Sequence, residues 1–257
     1  MERHFVHLCG KGDLMEAQQH YILNPNIDIS FNDEWPFRNA CLRGHLHVAQ
    51  WLFEVKPTIN ISALNEIAFR FACLLGHLHL AQWLLQVSKE KGQEIDISAE
   101  DDYAFCNACL KGHLHVAQWL LHIKPTIDIS SKDEYAFRHA CSYGHLEVAK
   151  WLLQISKERG QMIDISALDD FAFRLACLNG RIEVAKWLQS LKPYLYVIEY
   201  DKNGKMKDWR IRAKEEANWQ KRKYLVWLAS NECPEENKHN LLYKLPSDVS
   251  RMVIGFV

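Results

Sequence analysis

The stretch DEYAFRHACSYGHLEVAKWLLQI, residues 133–155, recurs along the chain with small edits: DDYAFCNACLKGHLHVAQWLLHI at 101–123 and DDFAFRLACLNGRIEVAKWLQSL at 169–191. Its glycine returns at Gly12, Gly44, Gly76, Gly112, Gly144 and Gly180, separated by 32, 32, 36, 32 and 36 residues. A cysteine keeps the same interval three residues earlier, from Cys9 to Cys177. Self-similarity at this period turns the 257 residues into a count of stacked units rather than one volume to be filled.

Within a unit, Phe137, Ala140 and Cys141 recur at helical spacing, and Leu146, Ala149, Trp151, Leu152 and Ile155 do so after Gly144. Each unit therefore reads as two short helices separated at the glycine, which is expected in a left-handed turn. Helices this short are marginal in water and must bury their apolar stripes against neighbouring units. The two periods have a local source. Short units leave the second helix through Lys56-Pro57-Thr58 or Lys124-Pro125-Thr126. Long ones carry SKEKGQ (88–93) or SKERGQ (156–161), which predicts about one more helical turn before the glycine, protruding from one edge. All units rejoin in an Ile-Asp/Asn-Ile-Ser segment (Asp28, Asn60, Asp96, Asp128, Asp164), a short extended connection whose Asp or Asn organises the turn.

These units resemble ankyrin repeats, with a period near 33, a helix-turn-helix body and a G-H-x-x-V/L-A segment. The narrower pattern D-E/D-x-A-F-R-x-A-C-x-x-G-H-L-E/H-V-A-K/Q-W-L looks like the variant found in proteins of giant DNA viruses. The resemblance covers residues 1–193 as six units, the first a degenerate cap. It implies an all-α, ankyrin-repeat α-solenoid, non-enzymatic, monomeric and bound to a protein partner. A viral source would imply a host protein as partner and the host cytoplasm or nucleus as compartment. The family's Thr-Pro-Leu-His opening is absent; Tyr135, Ala136, Phe137 and Arg138 stand there.

Composition narrows the function. The formal net charge is -1, so no global field steers the chain toward nucleic acid or an anionic membrane. No run approaches the 18 or so apolar residues of a spanning helix, and the N-terminal MERHFVHLCGKG lacks a signal-peptide core. Six of the eight cysteines belong to the repeat and read as reduced core thiols of an intracellular protein. The Cys106/Cys109 CxxC lies inside a repeat helix and carries little redox or zinc weight. His45, His77, His113 and His145 follow the turn glycines, with His47, His79 and His115 two residues on. The same pair in every unit reads as structural rather than as a zinc set. No cofactor motif or catalytic constellation is present, so no enzyme is expected.

Residues copied in every unit hold a solenoid together; residues that vary at equivalent positions are better placed to select a partner. Trp51, Trp83, Trp119, Trp151 and Trp187 form a packing row. Arg38, Arg70, Arg138 and Arg174 face the acids Asp33/Glu34, Glu66, Asp101/Asp102, Asp133/Glu134 and Asp169/Asp170. These rows are expected to pair across units, and the acids to cap the first helices. The variable positions are Arg43, Leu75, Lys111, Tyr143 and Asn179 at the first-helix ends. Trp35, Ile67, Tyr103, Tyr135 and Phe171 vary near the loops. Aromatic side chains with Arg or Lys on a concave face make a protein-binding surface, and ordinary inter-repeat contact is the competing role.

After Pro193 the pattern changes. YLYVIEY-DKNG-KMKDWRIR predicts a short β-hairpin over 194–212, and KEEANWQKRKYLVWLAS a capping helix, together a unit of 194–234. Residues 201–224 hold nine basic against four acidic residues, a local excess of five positive charges, which is a weak nucleic-acid footprint. The tail 235–257 reads as a polar hinge followed by a small amphipathic helix, with Pro246 in its first turn and Val249, Met252, Val253 and Phe256 on one apolar face. Its Leu245-Pro246 opening resembles F-box-like tails of viral ankyrin proteins, which implies a ubiquitin-ligase adaptor as partner through Leu245, Pro246 and Phe256. A cap for the solenoid is the alternative, and a structural component of a viral particle or factory is a third reading.

Overall fold

The computed structural model describes residues 1–212. The expected capping helix and the tail with Leu245, Pro246 and Phe256 lie outside the described residues. The described residues divide into two compact units, Met1–Ala172 and a second that begins at Phe173.

The first unit is built from helix pairs: α1 (Glu2–Lys11) with α2 (Leu14–Leu23), α3 (Phe31–Leu42) with α4 (Leu46–Val55), and α5 (Ala63–Leu74) with α6 (Leu78–Glu90). Then follow α7 (Ala99–Leu110) with α8 (Leu114–Ile123) and α9 (Ser131–Tyr143) with α10 (Leu146–Arg159). First helices pack on first helices, α1 on α3, α3 on α5, α5 on α7 and α7 on α9. Phe5, Phe37, Phe69, Phe105 and Phe137 form a fully buried spine, flanked by Cys9, Cys41, Cys73, Cys109 and Cys141. Each spine residue contributes about 1.5–3 kcal/mol from burial. The half-buried tryptophan of the next pair leans on it: Trp51 on Phe5 at 6.1 Å, Trp83 on Phe37 at 6.3 Å, Trp119 on Phe69 at 6.2 Å and Trp151 on Phe105 at 6.3 Å between ring centroids. The tryptophan row is thus an inter-repeat packing device.

The turn glycines are left-handed, with φ between 78° and 90° from Gly12 to Gly144. Each of the first four lies under the histidine that opens the next pair's second helix. A Cβ at Gly12, Gly44, Gly76 or Gly112 would stand 2.3–2.6 Å from the ring of His45, His77, His113 or His145. The rings also bond back to the preceding turn: His45 Nε2 lies 2.9 Å from the Gly10 carbonyl oxygen, and His77 and His113 bond to those of Leu42 and Leu74. A carbonyl only accepts, so the ring nitrogen carries the proton. One histidine and one glycine per repeat therefore form a continuous seam.

The longer periods do extend the second helix: α6 and α10 have 13 and 14 residues against 10 in α4 and α8. The extra residues also reach back. Gln93 accepts from the Ile61 N–H at 2.9 Å and donates to the Ile59 carbonyl, while Arg159 donates to the Pro125 and Ile127 carbonyls. In the connecting segments, Asp28, Asn60, Asp96, Asp128 and Asp164 each accept from the N–H two residues on, at 2.9–3.1 Å. These are Asx turns, each following a buried isoleucine.

The entry to the first helices differs from the sequence expectation. Residues 32–34, 64–66, 100–102 and 132–134 all have φ between 53° and 64°, one left-handed turn of non-glycine residues before the regular helix. Such a conformation costs about 1–2 kcal/mol per residue. Arg38 and Arg138 donate to the carbonyls of this turn, Arg38 to Asn32 at 2.7 Å and to Asp33, Arg138 to Lys132 at 3.0 Å and to Asp133. They do not bridge to carboxylates of another unit. Cys106 replaces the arginine in α7 and the turn persists there, so the arginine follows the turn rather than creating it.

The carboxylates are not side-chain caps of their own helices either; none caps α3, α5, α7 or α9. They tether the next repeat. Glu34 and Glu134 accept from the backbone N–H of Asn60 and Asp164 at 3.5 and 3.2 Å, and Glu66 takes that of Asp96. The equivalent residue in α7 is one methylene shorter, and its buried Asp102 Oδ1 has no partner. Asp102→Glu is therefore expected to reach the Asp128 N–H and stabilise by about 1 kcal/mol, read as a higher urea midpoint at unchanged slope.

The second unit contains the C-terminal part of α11 (Ala167–Leu178), α12 (Ile182–Leu191), and β1 (Tyr196–Tyr200) paired antiparallel with β2 (Met206–Ile211). Asp201 closes the hairpin by accepting from the Asn203 and Lys205 N–H groups, and Gly204 takes φ 76°. Tyr196 lies flat on Phe173, with 4.1 Å between centroids and 5° between planes, and Trp209 meets it edge-on. The predicted hairpin thus covers a phenylalanine of the repeat pattern.

Candidate functional site

Apolar spacing buries one side of each first helix and leaves the varied positions on the other. Arg43, Leu75, Lys111 and Tyr143, one per repeat at the first-helix ends, are exposed. Trp35, Ile67, Tyr135 and Phe171 are half-buried near the loops, and Tyr103 is exposed. Asn179, in the second unit, is exposed as well.

Several of these residues are brought into contact by cations. Arg38 lies over Trp35 at 5.1 Å, Arg70 over Tyr103 at 5.0 Å, Arg138 over Phe171 at 4.8 Å and Lys111 over Tyr143 at 5.7 Å. Arg38 and Arg138 are themselves buried, 7% and 5% exposed, so their guanidinium groups hold the rings in place rather than facing a partner. Around α9 the contacts converge on His139, whose ring is 4.1 Å from Tyr135, 5.6 Å from Phe171 and 6.4 Å from Tyr143. Its Nδ1 is buried without a partner. The sequence reading missed His139, although the equivalent positions Asn39, Phe71, Asn107 and Leu175 vary as much as those it chose.

Lys11 was missed too, because α1 read as a degenerate cap; it occupies the position of Arg43 and Lys111 in the first repeat. Lys11 and Arg43 line one groove with His7, Asn39 and Leu75, a depression of about 600 Å³.

Burial sets the electrostatics. It holds His77, His113 and His139 below the ordinary histidine range; neighbouring imidazoles add to this at His77 and His113, and the Arg138 charge at His139. Burial lifts the Glu66 and Glu134 carboxyls, against the backbone bonds they accept. Depressed histidines favour the folded state above their unfolded value of 6.5, and that contribution is lost as pH falls through their folded values. The raised carboxyls work oppositely, but only near and above their ordinary 4.5. The urea midpoint is therefore expected to fall between about pH 7 and pH 5.5, with most of the drop removed by His77→Gln and His113→Gln. Burial also pushes the Cys106 thiol to about 11 and Cys109 well above 9.0, so neither is a ready nucleophile. Among the described residues, no three His, Cys, Asp or Glu side chains converge as a metal would require.

The family pattern described as "Ankyrin repeats (3 copies)" matches residues 37–133 and 105–197, more than half of the chain. The chain belongs to the ankyrin-repeat family. Its fold is an all-α ankyrin-repeat solenoid with a short C-terminal antiparallel hairpin. The crystal structure of the human ASB11 ankyrin repeat domain is similar, with TM-score 0.54 and 16% identity over 84% of this chain and 96% of that one, a likeness of fold. No curated protein sequence matches. Ankyrin repeats of this kind are non-catalytic scaffolds, and their helices here include none long and apolar enough to cross a membrane among the described residues.

Proposed function

We propose that this ankyrin-repeat chain is a non-enzymatic scaffold that binds a protein partner through the face carried by its first helices. The supporting observation is the aromatic and cationic strip from Trp35 to Phe171. Its side chains differ from repeat to repeat, while the residues beneath it are copies. Aromatic rings held in place by buried arginines, with Arg43 and Lys111 exposed on the same face, give the strip the composition of energetic centres in protein interfaces. Affinity capture with the intact protein and with an Arg43→Glu, Lys111→Glu, Tyr143→Ala variant tests this. All three side chains are exposed, so the variant is expected to keep its thermal midpoint and lose the captured partner. Full capture by the folded variant defeats the reading.

A second reading, a ubiquitin-ligase adaptor, rests on the sequence of the tail alone, with Leu245, Pro246 and Phe256 as its contacts. Removing residues 235–257 would then abolish capture of a ligase component and spare the other partners.

A further inference from the structure

The groove at the glycine ends of the first three repeats has a composition unlike the rest of the strip. Lys11 and Arg43 bring two positive charges to it, Lys11 from an exposed ion pair with Glu16 at 3.8 Å, and His7, His45 and His77 bring imidazoles. No carboxylate lines it among the described residues. Its apolar walls are Leu42 and Leu75, the second of which is 38% exposed. The helix ends here would ordinarily present carbonyl oxygens that repel an anion. Two of those carbonyls, Gly10 and Leu42, are already taken by the rings of His45 and His77. The seam that joins the repeats thereby removes two competing acceptors from beside the cations.

We propose that this groove binds an acidic, leucine-bearing peptide segment of a protein partner, with carboxylates on Lys11 and Arg43 and apolar side chains against Leu42 and Leu75. This rests on the scaffold reading and names the partner chemistry at one end of the strip. The volume, about 600 Å³, is of the size that encloses a few side chains. Arginine gives a planar fork that pairs with a carboxylate through two bonds, so the recognition is directional as well as electrostatic. Nucleic acid is the less suitable occupant. Two cations neutralise few phosphates, and no Phe, Tyr or Trp lines the groove for bases to stack on.

The test is fluorescence polarisation with the intact chain and a labelled Glu-Leu-Glu-Glu-Leu-Glu peptide. A Lys-Leu-Lys-Lys-Leu-Lys peptide and a short RNA oligonucleotide serve as competitors. Saturable binding of the acidic peptide is expected, weakened at least tenfold by Arg43→Gln with Lys11→Gln. Lys89→Glu, on the exposed side of α6 and with the same total charge change, is expected to leave it within twofold. An unchanged thermal midpoint shows that the variants are folded. No binding of the acidic peptide, equal loss with Lys89→Glu, or displacement by RNA at lower concentration than by unlabelled peptide overturns the inference. If partner capture by the Tyr143 region persists while the peptide fails to bind, the groove assignment falls and the scaffold reading stands.

Discussion

Gly76→Ala is expected to lower the unfolding free energy by about 4 kcal/mol, whereas Gly92→Ala is expected to lower it by about 1 kcal/mol. Both glycines are left-handed, with φ 79° and 67°, so the backbone penalty of a Cβ is common to the two. What separates them is the neighbour. At Gly76 the new Cβ would stand 2.5 Å from His113 Nδ1 and 2.7 Å from Cε1, while at Gly92 nothing lies within 4 Å. The His113 ring has to move, and with it goes the bond to the Leu74 carbonyl. A lost bond with a partner left unsatisfied costs about 1–3 kcal/mol beyond the backbone term. Urea unfolding followed by tryptophan fluorescence measures both variants. Adding His113→Ala to Gly76→Ala should recover part of the loss, because the clash is then gone. Equal losses at the two glycines would contradict the seam.

Phe105→Ala is expected to cost about 4 kcal/mol and to divide unfolding into two steps. Phe105 is 1% exposed and carries the Trp151 ring at 6.3 Å, so truncation leaves a cavity and removes the contact that couples α7 to the repeat after it. In a linear array a lesion in an interior repeat weakens the coupling to its neighbours, whereas one at the end lets only the end fray. Phe5→Ala, equally buried at 0% exposure but in the first repeat, is therefore expected to produce a shallow early transition and leave the main one in place. Circular dichroism and tryptophan fluorescence, taken across the same urea series, distinguish the two outcomes. A single coincident transition for Phe105→Ala would show that the repeats are more tightly coupled than this account holds.

The repeat count, the paired helices, the left-handed glycines and the longer second helices were legible because each rests on residues copied at a fixed interval. Copying reveals position even where single-residue propensity is weak. The hairpin was legible from Asp201 to Gly204, a turn sequence between alternating aromatic and branched residues. What escaped was conformation without a residue signature. Three consecutive positive-φ residues that include Leu64 have no signature in the sequence, and the turn recurs at 100–102 without an arginine or a tethering glutamate, so the arginines and Glu34, Glu66 and Glu134 satisfy it where present rather than specify it. The pairing of the acids with the arginine row was misread for the same reason; Asp101 does reach a cation of the next repeat, but it is Lys132. Charge complementarity is visible in sequence, but a backbone carbonyl or N–H as the true partner is not. In the candidate site, the varied residues were recognisable as a set. His139 and Lys11 belong to the same positions by phase and were passed over, the one as a neighbour of the chosen column and the other because its repeat looked degenerate.

The central claim is that the varied first-helix face, and not the second-helix face, meets the partner. It is tested most directly by placing a photo-crosslinking amino acid at Tyr103 and Tyr143 on the first helices, and in separate variants at Gln82 and Lys150 on the exposed side of α6 and α10. Crosslinks to a captured protein from Tyr103 and Tyr143, with none from Gln82 and Lys150, are the predicted result. Crosslinks from Gln82 and Lys150 alone would contradict it.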